Sequence, residues 1–138
     1  HFAWKYGGRV SANIYYSEPM SHKIYAACDA FLMPSLFEPC GLSQLISLRY
    51  GTVPIVRETG GLRDTVEPYN EYESKGTGFS FANYNAHELY EACWRAKEGY
   101  WQKDGGPVLV KRAMECDFSW SNSAKSYEGL YNETANLW

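Results

Sequence analysis

Apolar and polar residues alternate from Val10 to Tyr15 (Val10, Ala12 and Ile14 are the apolar positions), a period of two that predicts a short strand. Ser21 stands where it can cap a helix running to about Cys28, with Ile24, Ala27 and Cys28 on one face. Ala30-Phe31-Leu32-Met33 then runs without a polar residue between Asp29 and Pro34, which predicts a parallel strand buried on both faces. Leu42, Leu45 and Ile46 recur at helical spacing through to Tyr50, and Gly51 is placed to end that helix. Val53-Pro54-Ile55-Val56 is the next apolar strand, with Pro54 tolerable near its start. Gly76-Thr77-Gly78 introduces a last short strand, Phe79-Ser80-Phe81. Asn85 opens a helix with Glu88 three residues on, a capping-box spacing, and Leu89, Ala92, Cys93 and Ala96 form its apolar stripe.

Gly105-Gly106-Pro107 interrupts the pattern, and a helix over 107–115 follows with Pro107 in its first turn. Phe118-Ser119-Trp120 leads into a final helix with Ala124, Tyr127, Leu130 and Tyr131 at helical spacing, so the C-terminal helices span about 107–134. The Trp120 region is expected to pack in a core or against another domain. Strands alternating with helices predict an α/β protein, an open parallel sheet of about four strands with right-handed crossovers, in one domain over 1–138. No repeat, low-complexity tract or interdomain linker appears, and 67–75 reads as a mobile surface loop.

Composition narrows the chemistry. The 138 residues are 45% hydrophobic and 21% charged, as in ordinary globular proteins, and the net charge of -3 argues against a nucleic-acid partner. A single phosphate can still be held by local amides. No apolar run approaches the ~20 residues of a membrane span, and no charged and apolar leader is present, so neither a membrane nor a secretory role is expected. Cys28, Cys40, Cys93 and Cys116 have no CxxC or metal-type spacing, and His1, His22 and His87 are equally scattered. Free thiols and no metal site are the expectation.

Ligands of open parallel sheets bind beyond the carboxyl ends of the strands. Three segments fall there: Tyr15 to Pro19, Pro34 to Ser43, and Thr59 to Leu62. In the second, Cys40, Gly41, Leu42 and Ser43 read as the opening turn of a helix, whose free N–H groups and dipole suit a phosphate. Glu38 beside it would repel that phosphate, and so suits the hydroxyls of a sugar. The alternative is that Glu38 caps the helix and pairs with a basic neighbour. For Thr59, Gly60 and Gly61, contact with substrate and a purely conformational use of the glycines stand open.

Leu32-Met33-Pro34-Ser35-Leu36-Phe37-Glu38-Pro39-Cys40-Gly41-Leu42 is similar to the signature of bacterial glycogen synthases and plant starch synthases. So are Arg49 to Val56, Thr59 to Val66, Gly76 to Phe79 and Asp117 to Trp120, in the expected order. The resemblance implies a truncated, partial Rossmann-like second domain of a two-domain glycosyltransferase. It also implies a reaction: glucose passes from ADP-glucose, or UDP-glucose in some members, to the end of an α-1,4-glucan with retention. No cofactor is implied, because the nucleotide sugar is a substrate. Carried over by position, Tyr16 matches a tyrosine that stacks on adenine, and Glu38 an acidic residue near the reacting carbon of the glucose. Cys40, Gly41, Leu42 and Ser43 match the turn around hexose and diphosphate, and Thr59, Gly60 and Gly61 a second turn facing the cleft. Ile46 stands where related retaining enzymes carry the second glutamate of Glu-x7-Glu, and Leu36 where arginine is frequent.

The family's Lys-Thr-Gly-Gly-Leu turn, its key histidine and the Arg and Lys that neutralise the leaving diphosphate have no match here. The chain alone is therefore expected to be inactive. The other expectations weighed are a sucrose-synthase-like transferase and a non-catalytic nucleotide- or glucan-binding module. A bacterial cytoplasm or plastid stroma is implied as the compartment. By position, Val10 to Tyr15 is the family's third strand and Ala30 to Met33 its fourth, and the strands between them have no counterpart. Either the two pair directly or two copies meet through these edges, and a homodimer is favoured.

Overall fold

The computed structural model describes residues 1–73, 75–101 and 105–135. In chain order the elements are α1 (Phe2–Lys5), α2 (Glu18–Ala27), β1 (Ala30–Met33), α3 (Ser43–Tyr50) and β2 (Val53–Arg57). They continue with α4 (Gly60–Thr65), β3 (Phe79–Phe81), α5 (Ala86–Trp101), α6 (Gly105–Glu115) and α7 (Trp120–Ala135). The sheet is parallel and ordered β1-β2-β3, with Ala30 opposite Val53, Met33 opposite Val56, and Ile55 opposite Phe79.

β2 is central, and its period of two divides the core. Val53 and Ile55 join Phe79, Phe81, Ala92, Ala96 and Leu109, so α5 and α6 cover one face. Val56 packs with Leu62 and Val66 of the α4 region, and with Met33, on the other. The stripe Leu89, Ala92, Cys93 and Ala96 points into the first cluster as its spacing predicts. At the start of α5 the box is extended. The Asn85 side chain accepts from Glu88 N (2.9 Å), while the Glu88 carboxylate accepts from the N–H groups of Ala82 (3.1 Å) and Asn83 (2.7 Å). The Asn83 N–H, foremost, holds the Glu88 carboxyl below its ordinary range.

Several expectations are corrected. Val10 to Tyr15 forms no strand; Ile14 is 95% exposed and the segment joins no sheet. Alternation alone does not make a strand, whose backbone groups need a neighbouring ladder. No described segment supplies the strands that would carry the ladder out to these residues. Among the described residues the sheet accordingly has three strands rather than about four, and Val10 to Tyr15 does not pair with β1. One edge of β1 stays open among the described residues, and on its faces Ala30 and Leu32 are exposed and Phe31 and Met33 half-buried, rather than buried on both faces. Ser17, not Ser21, caps α2, accepting from Met20 N at 3.3 Å.

The helix after β1 forms and ends at Gly51 (φ 77°) as its pattern predicts, yet its buried face is Gln44, Ser47 and Leu48, while Leu42 is exposed. α7 buries no residue, and Trp120 is 88% exposed, so it belongs to no core of this chain. The loop over 67–75, with Ser74 outside the described residues, is pinned by bridges between Pro68 and Gly78 and between Asn70 and Lys75. None of the four cysteines is in a disulfide.

Leu109 is fully buried where α6 meets the sheet, whereas Leu130 on α7 is exposed. Leu109→Ala is expected to lower stability by about 2–5 kcal/mol in urea denaturation. Leu130→Ala should stay within about 0.5 kcal/mol of the parent.

Candidate functional site

Two connections leave the carboxyl ends of adjacent strands: Pro34 to Leu42 after β1, and Glu58-Thr59 after β2. They are locked together by carbonyl groups of the first loop. Arg57, the last residue of β2, places Nη1 2.7 Å from Leu36 O and 3.4 Å from Ser35 O. Gly61 N–H is shared between Glu38 O (3.2 Å) and Pro39 O (3.0 Å). Gln44 Nε2 reaches Cys40 O (3.1 Å) and Gly41 O (3.0 Å).

The glycines make this possible. A Cβ on Gly61 would sit 1.9 Å from Cys40 O, and one on Gly60, which has φ +45°, 2.1 Å from Glu38 O. Gly41 is left-handed (φ +71°), with the Gln44 amide where its Cβ would be. Their conformational role is thereby established.

The carbonyl grip has an electrostatic result. Across a planar trans peptide the C=O of one residue and the N–H of the next point in opposite directions. With the carbonyls of Pro39, Cys40 and Gly41 turned to Gly61 and Gln44, the N–H groups of Cys40, Gly41 and Leu42 point away from them. None of these N–H groups donates to a protein group among the described residues. Gly41 in the left-handed region followed by Leu42 in the right-handed one (φ -112°, ψ -27°) is the conformation that gathers successive amides into a small anion-binding concavity. α3 itself begins at Ser43 with Leu42 as N-cap, so Cys40 and Gly41 precede the helix instead of forming its first turn. The first turn of α3 extends the same set of donors.

Glu38 is half-buried on the same loop, two residues before Cys40, and its carbonyl is one of those held by Gly61. It does not cap α3, whose N-cap makes no side-chain bond, and the two ion pairs among the described residues, Lys75–Glu73 and Lys111–Glu115, lie elsewhere. Its carboxylate is thus free to meet a ligand. Cys40 and Leu42 are exposed beside it, and Thr59 caps the chain end of α4 half-buried. Glu38, Cys40, Gly41, Leu42, Ser43, Thr59, Gly60 and Gly61 therefore come together. Tyr16 is 90% exposed on the segment before α2, and no bond among the described residues ties it to this loop. The sequence reading missed Gln44, Thr65 and Arg57. The available signal was the Gln44, Ser47, Leu48 spacing, which marks a polar residue on the buried face of α3.

Residues 2–100 match the model of the family described as glycosyl transferases group 1. The chain belongs to that family. Within it, the chain is 74% identical over 133 residues to a glycogen synthase of Lachnospira eligens, and 66% identical over 137 residues to a glycogen synthase of Lachnoclostridium phytofermentans. These alignments cover 96% and 95% of this chain and 28% of each relative, so the chain spans little more than a quarter of the relatives' length. Among solved structures, the catalytic domain of starch synthase IV from Arabidopsis thaliana, bound to ADP and acarbose, is similar with a TM-score of 0.74. It is 41% identical, over 88% of this chain and 26% of that one.

Gly61→Ala is expected to destabilise the protein by at least about 1–3 kcal/mol, because backbone rather than a mobile side chain opposes the added carbon. Gly129 on α7 has nothing within 4 Å of a built Cβ, and Gly129→Ala should gain about 0.5–1 kcal/mol in the same denaturation experiment.

Proposed function

We propose that this chain is the donor-binding part of a glycogen synthase that transfers glucose from ADP-glucose to the non-reducing end of an α-1,4-glucan with retention of configuration. The observation that carries this reading is the outward N–H set of Cys40, Gly41 and Leu42 beside the unpaired Glu38 carboxylate. Amides hold the anionic and hydroxyl-rich parts of the donor, and the carboxylate faces the sugar, where positive charge develops as the glycosidic bond breaks. High identity to glycogen synthases and likeness to a starch synthase bound to ADP support the same assignment.

Breaking that bond also requires charge stabilisation on the leaving diphosphate. Among the described residues Arg57 directs Nη1 at loop carbonyls, and no cation pairs with Glu38. The rest of the synthase supplies the cations, and the 138 residues alone do not turn over. The acceptor glucan enters from the same missing side, against the exposed Leu36, Phe37 and Leu42. The open edge of β1 is where a second copy would sit if the chain alone dimerises. No helix among the described residues is long and apolar enough to cross a membrane, and the synthase is proposed to work in the bacterial cytoplasm, as the bacterial relatives suggest.

In the full-length synthase, Glu38→Gln is expected to lower kcat by at least about 10²-fold while ADP affinity stays within a few-fold. Incorporation of labelled glucose into glycogen measures the first and calorimetry the second. The 138-residue chain assayed alongside should incorporate none. Near-normal turnover of Glu38→Gln would remove Glu38 from the reacting centre.

Tyr16, proposed to stack on adenine, offers an exposed π-face in this chain. Tyr16→Ala should weaken ADP binding by about 1–3 kcal/mol, with Tyr16→Phe nearly neutral. Equal losses in the two variants would assign the effect to the hydroxyl instead.

A further inference from the structure

We propose that Gln44 is the positioning residue of the donor site: its buried amide holds the Cys40 and Gly41 carbonyls inward and so aims the N–H groups of Gly41 and Leu42 at the ligand. The inference rests on the donor-site reading above and names the residue that sets its geometry. Gln44 is 0% exposed, on the first turn of α3. A buried amide has to be satisfied, and Nε2 lies within hydrogen-bond distance of three acceptors: Cys40 O, Gly41 O and Thr65 Oγ1 (3.1 Å). Its two protons are shared among them.

The orientation of the amide is fixed by its surroundings. Thr65 Oγ1 gives its own proton to Gly61 O at 2.5 Å, so it presents a lone pair to Gln44 and requires N–H there. A flipped amide would set oxygen against two carbonyl oxygens and against that lone pair. Oε1 is left buried without a partner among the described residues, a desolvation cost that the flipped amide would exchange for three repulsive oxygen contacts.

A closed ring of bonds results. Gly61 N–H holds Glu38 and Pro39, Gly61 O receives Thr65, Thr65 receives Gln44, and Gln44 holds Cys40 and Gly41. Gln44 touches the loop from beneath, with the loop backbone between it and the ligand, so it acts through the amides and not on the substrate.

The test is steady-state kinetics of the full-length synthase carrying Gln44→Met, which keeps the length and removes the donor, and Gln44→Glu, with Glu38→Gln in parallel. Gln44→Met is expected to raise KM for ADP-glucose about tenfold, the loss of one aimed hydrogen bond to a charged group, with kcat lowered and KM for glycogen unchanged. Gln44→Glu should show the same defect at neutral pH and recover part of its donor affinity as pH falls, because only the protonated carboxyl can donate to a carbonyl. A residue that merely stabilised the fold would reduce the active fraction and leave the donor KM alone. A folded Gln44→Met enzyme with unchanged donor KM overturns the proposal. If that variant does not fold, Thr65→Val breaks the ring at its link, and a several-fold rise in donor KM is expected; no rise overturns the proposal equally. Normal turnover of Glu38→Gln would sink the site reading itself, whichever way Gln44 falls.

Discussion

Everything at the carboxyl end of the sheet depends on how closely α4 approaches the loop after β1. Backbone meets backbone where Gly61 faces Cys40, at a separation no side chain permits. That contact lets one N–H serve two carbonyls, brings Thr65 under the loop, and leaves the loop nowhere to turn its remaining carbonyls except toward Gln44. The amides face outward because the oxygens are already committed. The outward orientation of these amides is therefore a by-product of packing, set in the main chain by the fold itself.

Much of this was legible in the chain. Wholly apolar Ala30–Met33 and Val53–Val56, the closing Gly51, and the stripe on α5 each name their element through a local rule that the tertiary structure does not override. The loop holding Glu38 was legible as a strand-to-helix connection, because Pro34 ends the apolar run of β1 and helical spacing resumes only after Gly41. Val10 to Tyr15 misled because a period of two states which face is apolar and says nothing about whether a neighbour exists to complete the ladder. Ser21 lost the cap to Ser17 because Pro19 favours an earlier start, its missing N–H being harmless in a first turn.

Gln44 was illegible for a different reason. Reading α3 by hydrophobicity selects Leu42, Leu45 and Ile46, whereas the face that is buried carries Gln44 and Ser47, polar groups whose partners are carbonyls of loops and of the helix itself. A polar residue on the inside of a helix is invisible to periodicity and becomes evident only once the acceptors around it are known. α4 was missed likewise, since two glycines at its start read as a turn although they open a helix.

The strand order carries one more consequence, for folding kinetics. β1-β2-β3 means that each ladder joins strands consecutive in the chain, with no strand inserted between them later. Loop-closure entropy is then met in two short steps instead of one long one, which favours rapid collapse for a parallel sheet. The first of those closures is the connection that carries Glu38, and the second begins with Gly60-Gly61. The two segments whose closure completes the sheet are thus the same two that shape this loop cluster.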